Sequence, residues 1–265
     1  MARFLQLSDL HVVAPGTLAS GRLDTPALLR KAVDALLLRL PAIGPVDAVI
    51  VTGDISDDGT TASYDRARAE LDRLGLPLLP VPGNHDTREG FRHCFGDLSF
   101  IPETGLIDWA QDIGDTRVIG LDTLIEGQGG GLLRRESLDL LAQALEGAEG
   151  RPVLVALHHP PLRTGIRFMD AIALENPEDL ARTLTRRADP LRIVAGHVHG
   201  VFHGHLGRHS VCTGPSLCSA FALDRRADAP VGFMSGPTGC ALVDTAPGGV
   251  WVEVPLDHGD GPFRF

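Results

Sequence analysis

The sequence predicts an α/β fold, with a largely parallel sheet in the N-terminal half and a second, mostly antiparallel sheet after residue 200. Two patterns carry this reading. Through residue 81, short apolar runs alternate with stretches of helical periodicity, the βαβαβ rhythm of a parallel sheet covered on both faces. After residue 200 the runs shorten and alternate with turns, as antiparallel strands do.

In chain order, Arg3–Leu7 is a strand ending in Ser8-Asp9-Leu10-His11. The next helix is capped by Asp24 or Thr25, carries Pro26 in its first turn, and repeats Leu28, Leu29, Ala32, Val33, Leu36, Leu37 and Leu40 at helical spacing. Residues 47–51 form a strand stopped by Thr52-Gly53-Asp54, 63–74 a helix, and 76–81 the third strand. Pro82 and Gly83 then force a turn, one by fixing φ and the other by tolerating positive φ. Asn84-His85-Asp86 follow where the chain leaves the sheet. A fourth strand, 117–121, ends at Asp122. The glycine-rich 127–131 lacks the spacing and the Lys-Ser/Thr of a P-loop, and leads into a helix at 136–145. Strand Val153–Leu157 delivers His158-His159-Pro160-Pro161, and strand Arg192–Ala195, after a helix at about 177–187, delivers Gly196-His197-Val198-His199-Gly200. Short strands follow at 201–206, 210–213, 240–243 and 250–254, and the insert at about 216–239 is placed as a cap or an oligomer contact.

At 265 residues the chain can bury one sizeable core, and residues 1–265 are read as one domain carrying that insert. Its 43% hydrophobic and 22% charged content is that of a folded globular protein, not a disordered one. No apolar run reaches the roughly 20 residues that span a bilayer, and the N-terminus turns polar too soon for a signal peptide. A cytoplasmic location is the expectation. Cys94, Cys212, Cys218 and Cys240 are scattered without a Cys-x-x-Cys pair, as expected of reduced, buried thiols. A net charge of −10, with Lys31 the only lysine, argues against a nucleic-acid polymer as partner.

Five strands end in metal-ligand residue types: Asp9-x-His11, Gly53-Asp54, Asn84-His85-Asp86, His158 and His197-x-His199. Each alone has a plain structural reading, since a His-x-His is often a solvated loop and an Asp after a strand is often a helix cap. Together, at the carboxyl ends of strands, they converge on the edge where open α/β sheets place their sites. The donors are nitrogen and oxygen only, which suits two ions such as Mn, Fe, Co or Zn. Two ions need a bridging ligand, and one Asp carboxylate can supply an oxygen to each.

This succession of motifs resembles the calcineurin-like metallophosphoesterase superfamily from Arg3 to about Gly200, and within it the bacterial cyclic-nucleotide and glycerophosphodiester phosphodiesterases. Gly53-Asp54-Ile55-Ser56-Asp57-Asp58-Gly59, Val81-Pro82-Gly83-Asn84-His85-Asp86 and His158-His159-Pro160-Pro161 carry the likeness, and 169–176 looks like the substrate-side loop. The resemblance implies a four-layer αββα sandwich of two mixed β-sheets flanked by helices, with the metal site at the strand C-terminal edge. It implies that Asp9, His11, Asp54 and His199 hold one ion, that Asp54 bridges, and that Asn84, His158 and His197 complete the second. His85 matches the position that meets the substrate phosphate and transfers a proton. The implied reaction is in-line attack on a small phosphodiester by a hydroxide generated between two transition-metal ions, with cyclic nucleotides (3′,5′ or 2′,3′) as the leading substrates and glycerophosphodiesters as the alternative. A homodimer or higher homo-oligomer is left open, and no membrane partner is expected. Asp57 stands where purple acid phosphatases carry a tyrosine, so no Fe(III)–tyrosinate site is expected.

Other polar residues have two readings each. Asp86 orients His85 or caps the next helix, and His159 contacts substrate or supports the site from behind. His203 and His205 extend the cleft or sit on the surface, and Arg163 and Arg167 neutralise substrate or lie in a solvated loop. Tyr64 and Trp109 are read as packing residues, and Asp122 as a cap of the loop after its strand.

Overall fold

In the computed structural model, which describes residues 2–246 and 248–256, two mixed sheets pack face to face with helices on both outer faces. The elements are β1 (Arg3–Leu7), α1 (Thr25–Ile43), β2 (Ala48–Thr52), α2 (Thr61–Asp72), β3 (Leu78–Val81), α3 (Arg88–Phe95), β4 (Trp109–Ile113), β5 (Thr116–Leu121) and α4 (Arg135–Glu146). They continue as β6 (Val153–Leu157), α5 (Arg167–Asp170), α6 (Pro177–Leu184), β7 (Arg192–Ala195), β8 (His203–Leu206), β9 (His209–Thr213), β10 (Gly239–Asp244) and β11 (Trp251–Pro255). One sheet has the order β11-β10-β1-β2-β3 and the other β4-β5-β6-β7-β9-β8.

The main core lies between the sheets, where Leu5, Leu7, Val49 and Val51 join Val118, Leu154, Ala156 and Val194. It continues outward to Leu29, Val33 and Leu36 of α1, Tyr64 and Leu71 of α2, and Phe91 and Phe95 of α3. A second core joins Leu141 and Leu145 of α4 and Leu180 and Leu184 of α6 to Ile119, Val155 and Ile193. This is the four-layer α/β arrangement. Asp24 caps α1 by accepting from the Ala27 N–H at 3.1 Å.

The strands after residue 200 do not form a sheet of their own. β9 runs parallel to β7 and is flanked by β8, while β10 runs antiparallel to β1 and is flanked by β11. Both β9 and β10 are buried along most of their length, so each enters a sheet as an inner strand and leaves a more exposed neighbour at the edge. Three elements escaped the sequence pattern: the single turn α5, β4 and α3. β4 pairs antiparallel with β5, anchored by Trp109, whose Nε1–H donates to the Pro80 carbonyl at 2.9 Å. α3 is capped by Thr87, whose Oγ1 accepts from the Gly90 N–H, and turns Phe91, Cys94 and Phe95 inward.

Three parallel strands of the first sheet (β1, β2, β3) and two of the second (β6, β7) point their carboxyl ends to one edge. Gln6 stitches the sheets together there, its Nε2 donating to Thr52 Oγ1 and to the Ala195 carbonyl. No helix among the described residues is long and apolar enough to cross a membrane. Cys94, Cys212, Cys218 and Cys240 are buried and unpaired.

Candidate metal centre

The loops leaving these five strands carry unusual backbone. Six non-glycine residues among those described have positive φ: Asp9, His11, Ser20, Asp54, His197 and His199. Five of them are candidate ligands, and left-handed backbone at a non-glycine residue costs on the order of 1–3 kcal/mol. Such strain persists only where neighbouring contacts hold the loop. The Asp9 carboxylate accepts from the His197 N–H at 3.0 Å, tying the β1 and β7 ends together. The Gly196 N–H donates to the His158 carbonyl, tying β7 to β6. Two glycines permit the approach: a Cβ on Gly53 would lie 2.4 Å from His158 Nδ1, and one on Gly83 would lie 2.2 Å from Asp54 Oδ1. Gly53 also sits at φ +89°, whereas Gly83 does not take the left-handed conformation. Gly83 is therefore needed for closeness to Asp54, not for the positive φ expected from its turn.

The rings are aimed by their outward nitrogens. His158 Nδ1–H donates to the Thr52 carbonyl at 2.7 Å, and His197 Nε2–H to the Ile172 carbonyl at 3.0 Å. His11 Nδ1–H donates to Asp57 Oδ1 at 2.9 Å, and His199 Nδ1 pairs with Ser219 Oγ at 2.8 Å. In its neutral form each ring offers its other nitrogen's lone pair to the interior. His11 Nε2 and His199 Nε2 stand 3.0 Å apart. Asn84 Oδ1 lies 3.0 Å from His158 Nε2 and 2.9 Å from His197 Nδ1. Asp54 Oδ1 is held by the His85 N–H at 2.9 Å, which leaves Oδ2 at 3.4 Å from His11 Nε2 and 3.3 Å from His158 Nε2. Acceptors crowded against acceptors repel unless protons or cations lie among them, and a nitrogen and oxygen set converging on one point fits bound metal ions.

The charges agree. Burial would raise the Asp54 carboxyl, but His158, then His11 and His85, outweigh it and hold the group well below the usual range. Burial pushes Asp9 up to about 6, reinforced by Asp54 and opposed by His158 and His11. His197 and His199 are driven well below the ordinary imidazole range, first by burial and then by neighbouring histidines. Neutral rings are what a metal requires. His158 differs: burial would lower it, but Asp54 and then Asp9 raise it to about 9, so a metal binding there displaces a proton.

Asp57 takes a role that its place in the motif did not reveal. Besides His11, it lies 3.3 Å from His85 Nδ1, and the His11 and His85 rings meet edge to face at 4.6 Å. One carboxylate thus orients a candidate ligand and the candidate proton donor. Removing such a support usually costs 10–100-fold in metal affinity or activity. Asp57→Ala should weaken metal binding by about that range, read by competitive titration with a chromophoric chelator. Wild-type affinity in the variant would show that His11 needs no such support.

Other expectations resolve individually. Asp86 does not cap α3, which Thr87 does; its carboxylate accepts from the Ile55, Ser56 and Gly83 N–H groups and from the Tyr64 hydroxyl. Tyr64 is thus a hydrogen-bonding residue as well as a packing one. His159 is buried behind His158 and His197, its Nε2–H donating to the Gly129 carbonyl and its Nδ1 accepting from Thr123 Oγ1. With both nitrogens engaged, it supports the site through the glycine-rich loop. Asp122 is buried, paired with Arg88, and accepts from the Ile107 and Leu124 N–H groups. His203 and His205 line a cavity with Val153, Arg192 and Ser210, at the amino ends of β6, β7 and β9 and away from the centre. Arg163 bonds the Asp170 carbonyl, and Arg167 lines a separate cavity.

The centre floors a cavity of about 200 Å³. His11, Asp54, Asn84, His85, His197 and His199 line it, with Met169 and Ile172 from the segment expected on the substrate side. Cys218, Phe221 and Phe233 line it too, although no motif marked them. The Cys218 sulfur lies within 4.8 Å of a ring nitrogen of His11 and of His199, and burial pushes this thiol up to about 12, so it stays neutral.

Comparison with known proteins agrees with this geometry. Residues 2–201 match the family model described as calcineurin-like phosphoesterase. A Pseudomonas aeruginosa protein named 3′,5′-cyclic adenosine monophosphate phosphodiesterase is 33% identical over 97% of this chain and 86% of its own length. An Enterobacter lignolyticus protein named glycerophosphodiester phosphodiesterase is 32% identical over 83% of this chain and 80% of its own. A crystal structure of a dimetal phosphatase from Danio rerio superposes with a TM-score of 0.67 at 17% identity, covering 97% of this chain and 96% of that one.

Proposed function

This chain belongs to the calcineurin-like phosphoesterase family, and from that premise we propose that it is a two-metal phosphodiesterase of small diesters, foremost cyclic nucleotides. The observation that carries this is the place of Asp54 Oδ2, within 3.4 Å of a ring nitrogen on each side of the centre. One carboxylate thereby joins Asp9, His11 and His199 to Asn84, His158 and His197 as two halves of one site.

Bound divalent ions supply Lewis acidity, which makes water nucleophilic near neutral pH and draws charge from phosphoryl oxygens. The chain's residues do the rest. Asp9 and the four rings hold their donor atoms in place through the partners described above, and Asn84 turns Oδ1 between His158 and His197. His85 lines the cavity, and because Asp57 holds its Nδ1, its Nε2 is left to meet the phosphate and hand a proton to the leaving alkoxide. Burial opposes the charged ring, but Asp57 and Asp54 together raise His85 to about 10, so it is protonated at neutral pH. His85→Ala should lower kcat about a hundredfold with both metals retained, measured by steady-state kinetics beside elemental analysis. An unchanged rate would reduce His85 to a structural residue.

Manganese, iron, zinc and cobalt all suit a nitrogen and oxygen donor set. We read the chain as one catalytic domain in which 216–239 caps the cavity through Phe221 and Phe233. The exposed Leu223, Val231 and Met234 of that segment support a self-association face there. Four buried, unpaired thiols support a reducing, cytoplasmic setting. The test is turnover by manganese-reconstituted protein of 3′,5′- and 2′,3′-cyclic nucleotides against glycerophosphodiesters. Multiple turnovers of either class support the diesterase, and none with any diester would leave a non-catalytic binding scaffold.

A further inference from the structure

Much of the cavity wall beyond the metal donors is apolar and aromatic. Leu23, Phe168, Met169, Ile172, Phe221 and Phe233 line it, and among the described residues no lysine or arginine does. Phe168 and Met169 come from α5. Phe221 and Phe233 come from beside the bridge between Ala220 and Met234, whose N–H groups donate to each other's carbonyls at 3.0 and 2.7 Å. The rings form a connected series starting at the centre. Phe221 stacks on His199 with centroids 4.4 Å apart and planes 25° apart, and Phe168 meets Phe221 edge-on at 5.2 Å and 90°.

We infer that Phe168, Phe221 and Phe233 form a subsite for the planar aromatic base of a nucleotide diester, and that this wall selects such diesters over glycerol-type ones. The inference rests on the diesterase reading above and deepens it. A base presents an uncharged π-face to aromatic rings, a sequence-tolerant contact that alanine substitution typically weakens severalfold to a hundredfold. Glycerol hydroxyls pressed against the same rings would leave water without gaining hydrogen-bond partners. The absence of lysine and arginine from the lining disfavours substrates carrying further phosphates and suits a single diester charge placed at the metal donors.

Two readouts on the zinc-loaded full chain test this. Adenosine, which has no phosphate, reports base binding by calorimetry independently of hydrolysis. The ratio of kcat/KM for 3′,5′-cyclic AMP to that for glycerophosphoethanolamine reports selection. Phe168→Ala and the partly exposed Phe233→Ala should each weaken adenosine binding and lower that ratio about tenfold, while Phe168→Tyr restores both. Phe233→Ala, at the rim, keeps the test valid if Phe168→Ala fails to fold. Adenosine binding unaffected by either alanine variant, or kcat/KM falling equally for both diesters, overturns the subsite. A wild-type chain that binds adenosine and hydrolyses neither diester sinks the diesterase reading and leaves the subsite standing.

Discussion

Asp54→Ala should strip metal from the centre and lower diester turnover at least about a thousandfold, equivalent to about 4 kcal/mol. The size follows from the position. Asp54 Oδ2 faces His11 Nε2 and His158 Nε2 at once, while Oδ1 is already committed to the His85 N–H. Asp9, the other buried carboxylate of the centre, approaches His199 at 3.5 Å and is fastened to the His197 backbone, so it stays on one side. Truncation therefore removes a ligand from each half together with the charge that His11, His158 and His85 all face. It also frees the His85 amide, so the proposed proton donor loses its register. Elemental analysis and steady-state rates on the same preparation check this. Two metals per chain with turnover within tenfold of wild type would remove Asp54 from the bridge.

The candidate ligands were legible in the sequence because each follows an apolar run that cannot continue into polar residues inside a buried strand. Asp9, Asp54, Asn84, His158 and His197 all stand within three residues of a strand's end, so the shared edge of parallel strands brings them together once the sheets form. The sheet to which each strand belongs was not legible. β9 and β10 share a short, apolar pattern, yet one joins β7 and the other β1, a choice made by which sheet edge needs covering. The supports of the rings were hidden for a different reason. Thr52 and Ile172 act through backbone carbonyls, which carry no side-chain signature, and Ser219 lies twenty residues from the ring it meets. Asp57 was visible within its motif, but its double contact with His11 and His85 depends on two loops meeting in space. The aromatic wall gave no periodic signal, because Phe168, Phe221 and Phe233 come from a single helical turn and an irregular segment.

Asp86→Ala should lower stability by about 4 kcal/mol, because it strands several buried donors at once. The carboxylate accepts from Ile55, Ser56 and Gly83 N–H groups at 2.8–3.2 Å and from Tyr64 at 2.9 Å, and the residue is 2% exposed. Each buried donor left unpaired costs about 1–3 kcal/mol, and relaxation or entry of water recovers part of the sum. For a chain of this size the loss corresponds to a melting temperature roughly 10 °C lower. Asp86→Asn should rescue little, since its amide nitrogen would turn a donor toward donors. Tyr64→Phe is the graded control. It removes one bond to Asp86 and the acceptor of the Thr87 N–H, and should cost only about 1–2 kcal/mol. Asp86 also ties the turn that carries Asp54 to the turn that carries Asn84, so metal affinity should fall in the same order: wild type, Tyr64→Phe, Asp86→Ala. Calorimetric melting with and without added metal separates the two effects, because metal that binds only the folded chain raises the midpoint with the logarithm of its affinity. If Asp86→Ala melts within 2 °C of wild type, the anchor of the strained Asp54 turn lies elsewhere.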